Sequence, residues 1–221
     1  MSETPDVPPC VADTVILAML VDAGQSTLLA DLARGRLFVT PGILDPHETP
    51  PFDQPPVSEF AKGLYEAQQN LGNPLLARRA QRRTAYYGRA AAASWQPVTL
   101  SAAELQLAQE LTEKTARDTA RAIDPLFRAR RLDPGEAECA AVAIMRGWTL
   151  WSDDHAIVTL VRTLYPTCTV ERLCGLLVRA VSEGLIVCEA AETLYNTTFR
   201  RELRLWTTLT LQCERGVASC N

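Results

Sequence analysis

Short apolar runs alternate along the chain with longer segments whose apolar residues recur at helical spacing. The run that begins at Cys10 predicts a strand ending near Asp13, and the pattern that follows it predicts a helix that ends at Gly35. LFVT at 37–40 predicts a second strand, which the following Pro-Gly pair stops. The chain therefore begins with strand, helix and strand.

Prolines are frequent after the second strand, so residues 41–56 are expected to form an irregular loop. The composition then favours helices over 58–90, with a break at a Gly-Asn-Pro sequence. Ser101 and Glu104 have the spacing of a capping box, which predicts a further helix running to about Ala122. The middle third is therefore expected to be helical.

The segment WQPVTL at 95–100 interrupts these helices and predicts an edge strand or an extended linker, because Pro97 has no N–H to donate to a ladder. Beyond Leu132 the order is helix, strand (WTLWSDD), helix, and a short strand (CTVE). A last amphipathic helix is predicted from Glu189 to about Leu211, followed by a polar tail.

Strands separated by helices of this length favour parallel pairing with crossover connections. The pattern therefore predicts an α/β fold, a three-layer α/β/α sandwich around a central, mostly parallel sheet. The helical segment in the middle of the chain is expected to be an insertion into it.

Composition narrows the class of protein. The chain has 221 residues, a net charge of −4, 47% apolar and 22% charged residues, which excludes disordered, collagen-like and coiled-coil classes. The uncharged segment 90–103 is too short and too polar to cross a bilayer, and the acidic, proline-rich start does not resemble a secretion signal. We expect a cytoplasmic protein without a membrane partner.

The cysteines number seven, with no Cys-x-x-Cys pair, and there are two histidines, so a zinc cage is not expected. Most of the cysteines lie in apolar runs. They are therefore interpreted as small buried side chains in a reducing compartment.

Acidic residues follow two of the predicted strands. Asp13 ends the first, and Asp153 and Asp154 end the later one, while Glu136 begins the helix that leads into that later strand. Since parallel strands end at one edge of a sheet, these carboxylates are expected to converge there. Gathered carboxylates repel one another unless a cation neutralises them, and Mg²⁺ or Mn²⁺ would suit such oxygen ligands.

The chain resembles the PIN domains, many of which are metal-dependent ribonucleases and toxins of bacterial toxin–antitoxin pairs. The resemblance rests on the order of DTVIL, LLADLARGRLFVTPGIL, LDPGEAECAAVAIMRG, WTLWSDDHA and CGLLVRAVSEGLI. It implies a PIN-like domain over 8–195, with the proline-rich loop and helical insertion at 50–125 inside it. Residues 196–221 are then an extension formed by the end of the last helix and a tail.

This resemblance implies that Asp13, Glu136 and Asp153 are catalytic, and that all three bind Mg²⁺ or Mn²⁺ together with Asp154. RNA would be the substrate and hydrolysis of its phosphodiester bonds the reaction. The family usually has a further acid on the helix after the second strand. In this chain the candidates for the fourth acid are Asp45, Glu48 and Glu138.

Arginine-rich segments are the candidates for binding the nucleic acid. RRAQRR supplies four arginines and is followed by Tyr86, Tyr87 and Arg89. The guanidinium groups could meet phosphates, and the tyrosine rings could stack on bases. A second group precedes Glu136. The residues concerned are Arg78, Arg79, Arg82, Arg83, Arg130 and Arg131.

The same residues allow other functions. One is a PIN-like module that has lost catalysis and binds nucleic acid or protein. A haloacid-dehalogenase-like phosphatase is disfavoured, because Val15 stands where its second aspartate would be needed.

His155 is interpreted as a solvent-facing residue at a helix start. Uncharged residues 205–213 suggest a homodimer contact, and an antitoxin-like protein is a further candidate partner.

Overall fold

The computed structural model describes residues 8–90 and 95–221, with side chains described for 8–87 and 95–221. Five parallel strands form one sheet in the order β3-β2-β1-β4-β5. They are β1 (Cys10–Ala12), β2 (Leu37–Val39), β3 (Gln96–Pro97), β4 (Thr149–Trp151) and β5 (Val170–Glu171). The predicted α/β class and parallel sheet are confirmed.

Helices connect and flank these strands, an arrangement compatible with the predicted three-layer sandwich. Within the described residues, no helix is long and apolar enough to cross a lipid bilayer. The helices are α1 (Thr14–Asp22), α2 (Ser26–Ala33), α3 (Glu59–Gln68), α4 (Pro74–Ala90), α5 (Ala102–Thr112), α6 (Lys114–Ile123), α7 (Pro134–Arg146), α8 (His155–Leu164), α9 (Leu173–Ser182) and α10 (Cys188–Thr193).

Two helices predicted as continuous are each divided. The first, expected to run to Gly35, ends at Asp22, because Gly24 adopts a φ of +78° and α2 begins afterwards. The second begins with the predicted capping box of Ser101 and Glu104, but Glu113 is extended and separates α5 from α6. The break before Pro74 and the edge position of Pro97 are as predicted.

The central strands are buried on both faces. Every residue of β1 and β4 is buried, and Trp151 is among the largest fully buried side chains. Near-continuous apolar sequence is what a parallel strand covered by helices requires. The core therefore fixes the two strand ends at which Asp13 and Asp153 emerge.

The C-terminal region differs from the prediction of one long helix and a polar tail. A π-helix, Leu194–Glu202, follows α10, and the chain then forms an antiparallel hairpin of β6 (Leu211–Glu214) and β7 (Val217–Cys220). Threonine-rich sequence before β6 favours extended backbone over helix, which accounts for the early end of the helix.

Two disulfides attach this hairpin to the preceding helices. Cys174 on α9 pairs with Cys220, and Cys188 on α10 pairs with Cys213. The interpretation of these four cysteines as reduced apolar side chains is therefore wrong, although Cys10 and Cys139 are free and buried. Disulfides are typical of oxidising compartments and speak against the reducing environment expected from the sequence.

Candidate functional site

The ends of β1 and β4 lie side by side at the middle of the sheet. Asp13 follows β1, and its N–H donates to the carbonyl of Trp151 at 3.0 Å. Further strands continue from β1 and from β4 in opposite directions across the sheet. This is the topological switch point of a parallel sheet, the place where ligands of such folds bind.

Asp13 is a buried carboxylate at the start of α1, with 1% of its surface exposed. Its Oδ1 caps the helix by accepting the N–H of Ile16 at 3.1 Å, and its Oδ2 accepts the hydroxyl of Ser152. Burial raises the pKa of Asp13 to about 8, and the charges of Glu136 and Asp154 act in the same direction. Both neighbouring acids therefore lie close enough to Asp13 to disfavour its ionised form.

Glu136 belongs to the first turn of α7, as the sequence predicts. Its Oε2 accepts the N–H of Asp133 at 2.9 Å, and its Oε1 accepts Nη2 of Arg130 at 2.5 Å. Burial raises the pKa of Glu136 to about 6, even though Arg130 acts in the opposite direction. The capping contact and the arginine hold the carboxylate at the sheet end.

Asp154 completes the group through two bridging side chains. Its Oδ1 caps α8 at the N–H of Ala156, 2.7 Å away, and its Oδ2 accepts Nη2 of Arg130 at 3.1 Å. The N–H of Asp154 donates to the hydroxyl oxygen of Ser152 at 3.1 Å. Ser152 therefore links Asp154 to Asp13, and Arg130 links it to Glu136.

Asp153 lies at the same strand end, but it pairs with a different arginine. Its Oδ1 accepts Nε of Arg172 at 2.7 Å, whereas its Oδ2 is buried without a hydrogen-bond partner. Burial raises the pKa of Asp153, and Arg172 partly offsets the rise. Arg172 also donates to the hydroxyl of Thr207 at 3.3 Å, which joins the site to the C-terminal region.

The carboxylate oxygens of these acids suit a hard divalent cation, and Oδ2 of Asp153 is buried without a hydrogen-bond partner. Arg130 nevertheless bridges Glu136 and Asp154. Across residues 8–90 and 95–221, no three His, Cys, Asp or Glu side chains are grouped so as to hold a metal ion. A cation binding to Glu136 and Asp154 would have to displace the guanidinium.

Sequence reasoning missed one further acid, Glu59. It begins α3, the helix that follows β2, and its Oε2 accepts the hydroxyl of Thr14, the residue after Asp13, at 2.7 Å. Its Oε1 is buried without a hydrogen-bond partner, and burial raises the pKa of Glu59. The sequence feature that could have identified Glu59 is its place in the first turn of a helix, after the loop that follows β2. Glu136 has the same kind of place in the first turn of α7.

The three candidates for a fourth acid line a neighbouring cavity of about 260 Å³, together with Glu59. Each binds backbone N–H groups of the loop after β2. Asp45 accepts from His47, Glu48 from Val57 and Ser58, and Glu138 from Gly42 at 2.8 Å. These contacts explain the acids as supports of the proline-rich loop.

A close contact of two glycines sets the position of Glu136. A Cβ on Gly42 would lie 2.7 Å from Cα of Gly135, and one on Gly135 would lie 2.8 Å from the carbonyl oxygen of Gly42. Neither distance is sterically tolerable, so the start of α7 and the loop after β2 touch through their backbones.

Three arginines of α4 have a structural role. Arg83 makes two hydrogen bonds to the Asp22 carboxylate, at 2.8 and 2.9 Å, and Arg79 lies 2.9 Å from the same carboxylate. Arg82 donates to the carbonyl of Asp22. Arg78 is exposed.

The tyrosines of this helix are part of the core, so the expectation that they stack on bases is wrong. Tyr86 and Tyr87 are 4% and 7% exposed, and both rings pack near Phe60. Helical spacing places them on the same buried face as Arg79 and Arg83. The side chain of Arg89, which belonged to the same hypothesis, lies outside the described residues.

The remaining predicted residues lie near the carboxylates. Arg130 is the bridging cation described above, and Arg131 is exposed. His155 is exposed at the first position of α8, which agrees with its interpretation as a solvent-facing helix start.

Comparison with protein-family models, with curated proteins and with solved structures found no match. The PIN resemblance therefore stays a prediction.

Proposed function

We propose that this chain is a PIN-like endoribonuclease that depends on Mg²⁺ or Mn²⁺. The observation that carries the proposal is the gathering of Asp13, Glu136 and Asp154 at the switch point, with Asp153 beside them. Isolated helix caps would account for Asp13 and Asp154 separately, but not for the closeness of Glu136 and Asp154 to Asp13, whose pKa both acids help to raise.

Asp13, Glu136, Asp153 and Asp154 are the residues that would hold the cation. Glu59, which accepts the hydroxyl of Thr14 beside Asp13, would be the next acid to join them. Such a cation would activate a water and neutralise charge on the phosphodiester. Ser152 orients Asp13 and Asp154 through its hydroxyl. The high pKa of Asp13 means that its ionised form needs a nearby positive charge.

The arginines favour a second candidate function, an RNA-binding module without cleavage. Arg130 already forms ion pairs with Glu136 and Asp154, and Arg172 forms one with Asp153. Ion pairs of this kind offset the charge of the carboxylates without a metal. The two functions differ in whether a cation displaces Arg130.

The test is cleavage of single-stranded RNA by the full chain with Mn²⁺ or Mg²⁺, compared with its Asp13→Asn and Glu136→Gln variants. We expect each variant to lose about a hundredfold in rate, because each removes a charged oxygen ligand. Glu110→Gln, an exposed acid on α5, is the matched control and should cleave normally.

The outcomes separate the candidates. RNA binding without cleavage by the unmodified chain would favour the binding module. Cleavage that survives Asp13→Asn and Glu136→Gln would overturn the proposed site, because the hydrolysis would then arise elsewhere.

A further inference from the structure

The C-terminal region contains a cavity that lies outside the group of acids at the switch point. It lies between the π-helix and the segment that leads into β6, with a volume of about 580 Å³. Cavities of roughly 300–1,000 Å³ are the size of small-molecule sites. Its lining includes Asn196, Arg200, Arg201, Trp206, Thr207 and Gln212.

The walls of this cavity are held in place before any ligand binds. The side-chain amide of Asn196 donates to the carbonyl of Leu211 at 2.7 Å and accepts its N–H at 3.2 Å. The Cys188–Cys213 disulfide attaches β6 to α10, directly before the π-helix. A preformed wall reduces the ordering cost of binding.

Positive charge is concentrated here, although the whole chain is acidic. Arg200 and Arg201 form no ion pair with any described residue. Glu192 is the one acid among the lining residues, and 196–221 contains four arginines against two glutamates. Unpaired guanidinium groups beside a cavity are suited to bind phosphate.

Trp206 supplies an aromatic surface beside the two arginines. It lines the cavity and is 90% exposed, in contrast to the buried Trp151. Unlike a buried tryptophan, an exposed indole ring does not pack against the core, and a planar base can stack on its face. The exposed side chain of Thr208 also lines the cavity, and its hydroxyl can hydrogen-bond a sugar.

We propose that this cavity binds a nucleoside phosphate, with the base on Trp206 and the phosphate on Arg200 and Arg201. The ligand is either a free nucleotide or a terminal nucleotide of a single strand. The proposal goes beyond the proposed nuclease and does not rest on it, because neither a metal ion nor the acids at the switch point take part. Arg172 connects the two sites, since it contacts both Thr207 and Asp153.

The test is calorimetric titration of the oxidised full chain in EDTA with AMP, with a short 5′-phosphorylated oligoribonucleotide, and with inorganic phosphate. EDTA separates this binding from any metal-dependent cleavage. We expect Trp206→Ala and the double variant Arg200→Gln/Arg201→Gln each to weaken binding about tenfold. The double variant Arg121→Gln/Arg162→Gln removes the same charge from exposed positions on α6 and α8 and should bind normally.

Each outcome decides the matter. Binding of AMP and its loss in both variants support a free nucleotide, whereas binding of the oligoribonucleotide alone supports the end of a strand. The proposal is overturned if neither ligand binds or if binding survives both changes. It is also overturned if inorganic phosphate binds as tightly as AMP. Thermal unfolding of each variant checks that the fold is intact.

Discussion

Two arginine-rich regions of this molecule have opposite environments. On α4, Arg79 and Arg83 converge on one buried carboxylate, that of Asp22. On the π-helix, Arg200 and Arg201 line an open cavity and have no ion-pair partner among the described residues. The arginines of α4 form the longer run in the sequence, yet two of them are held by Asp22. The number of adjacent arginines therefore does not indicate which group can bind a ligand.

The largest effect is expected from removing the shared carboxylate. Asp22→Ala leaves Arg83 buried without its partner, and loss of one member of a buried pair costs roughly 3–5 kcal/mol of unfolding free energy. Urea denaturation measures this. Asp118→Ala, which breaks exposed pairs with Lys114 and Arg121, is the control and should cost below about 1 kcal/mol. Equal losses in the two variants would contradict the structural role of Asp22.

The second prediction concerns the disulfide that holds the cavity wall. Cys188→Ala/Cys213→Ala opens a link that spans 25 residues, which should lower the unfolding free energy by about 3 kcal/mol. The same variant should bind AMP more weakly, because β6 is released from α10. Cys168→Ala, at a free cysteine, should change neither measurement. Unchanged stability of the double variant would show that the bond does not form in solution.

The third prediction contrasts Asp22 with Asp13, a buried carboxylate that no arginine of the described chain pairs with. The folded pKa of Asp13, about 8, lies above the value of about 4 in an unfolded chain. The proton bound in the folded state therefore stabilises it below about pH 4, and this contribution is lost as pH rises to about 8.

Asp13→Asn should remove this dependence, whose slope approaches about 1.4 kcal/mol per pH unit. Unfolding free energies at several pH values in EDTA measure the difference between the variant and the unmodified chain. A difference that stays constant with pH would contradict the raised pKa.

Much of the fold could be predicted from the sequence because local signals agreed with the final structure. Apolar runs marked β1, β2 and β4, and the Ser101–Glu104 spacing marked the start of α5. The hairpin and its disulfides could not be found in this way. Cys174 and Cys220 are 46 residues apart, and their pairing depends on the hairpin between β6 and β7, which no local pattern near Cys174 indicates.

The site was partly accessible for the same reason. Strand order and helix starts placed Asp13, Glu136 and Asp154 at one edge, but the bridge through Arg130 depends on side-chain placement across two elements. Glu59 was missed because its contact with Thr14 crosses the proline-rich loop. The buried face of α4 was missed because a run of charged residues conceals the helical spacing of Arg79, Arg83 and Tyr86.

The back-to-back contact of Gly42 and Gly135 limits how this site can be redesigned. Because both residues already lack a side chain, enlargement of one cannot be compensated by shrinkage of the other. A library that varies the two positions should yield folded proteins only when the beginning of α7 shifts. Every such shift would carry Glu136 with it, so the reach of that carboxylate can be tuned by backbone spacing rather than by exchanging the acid itself.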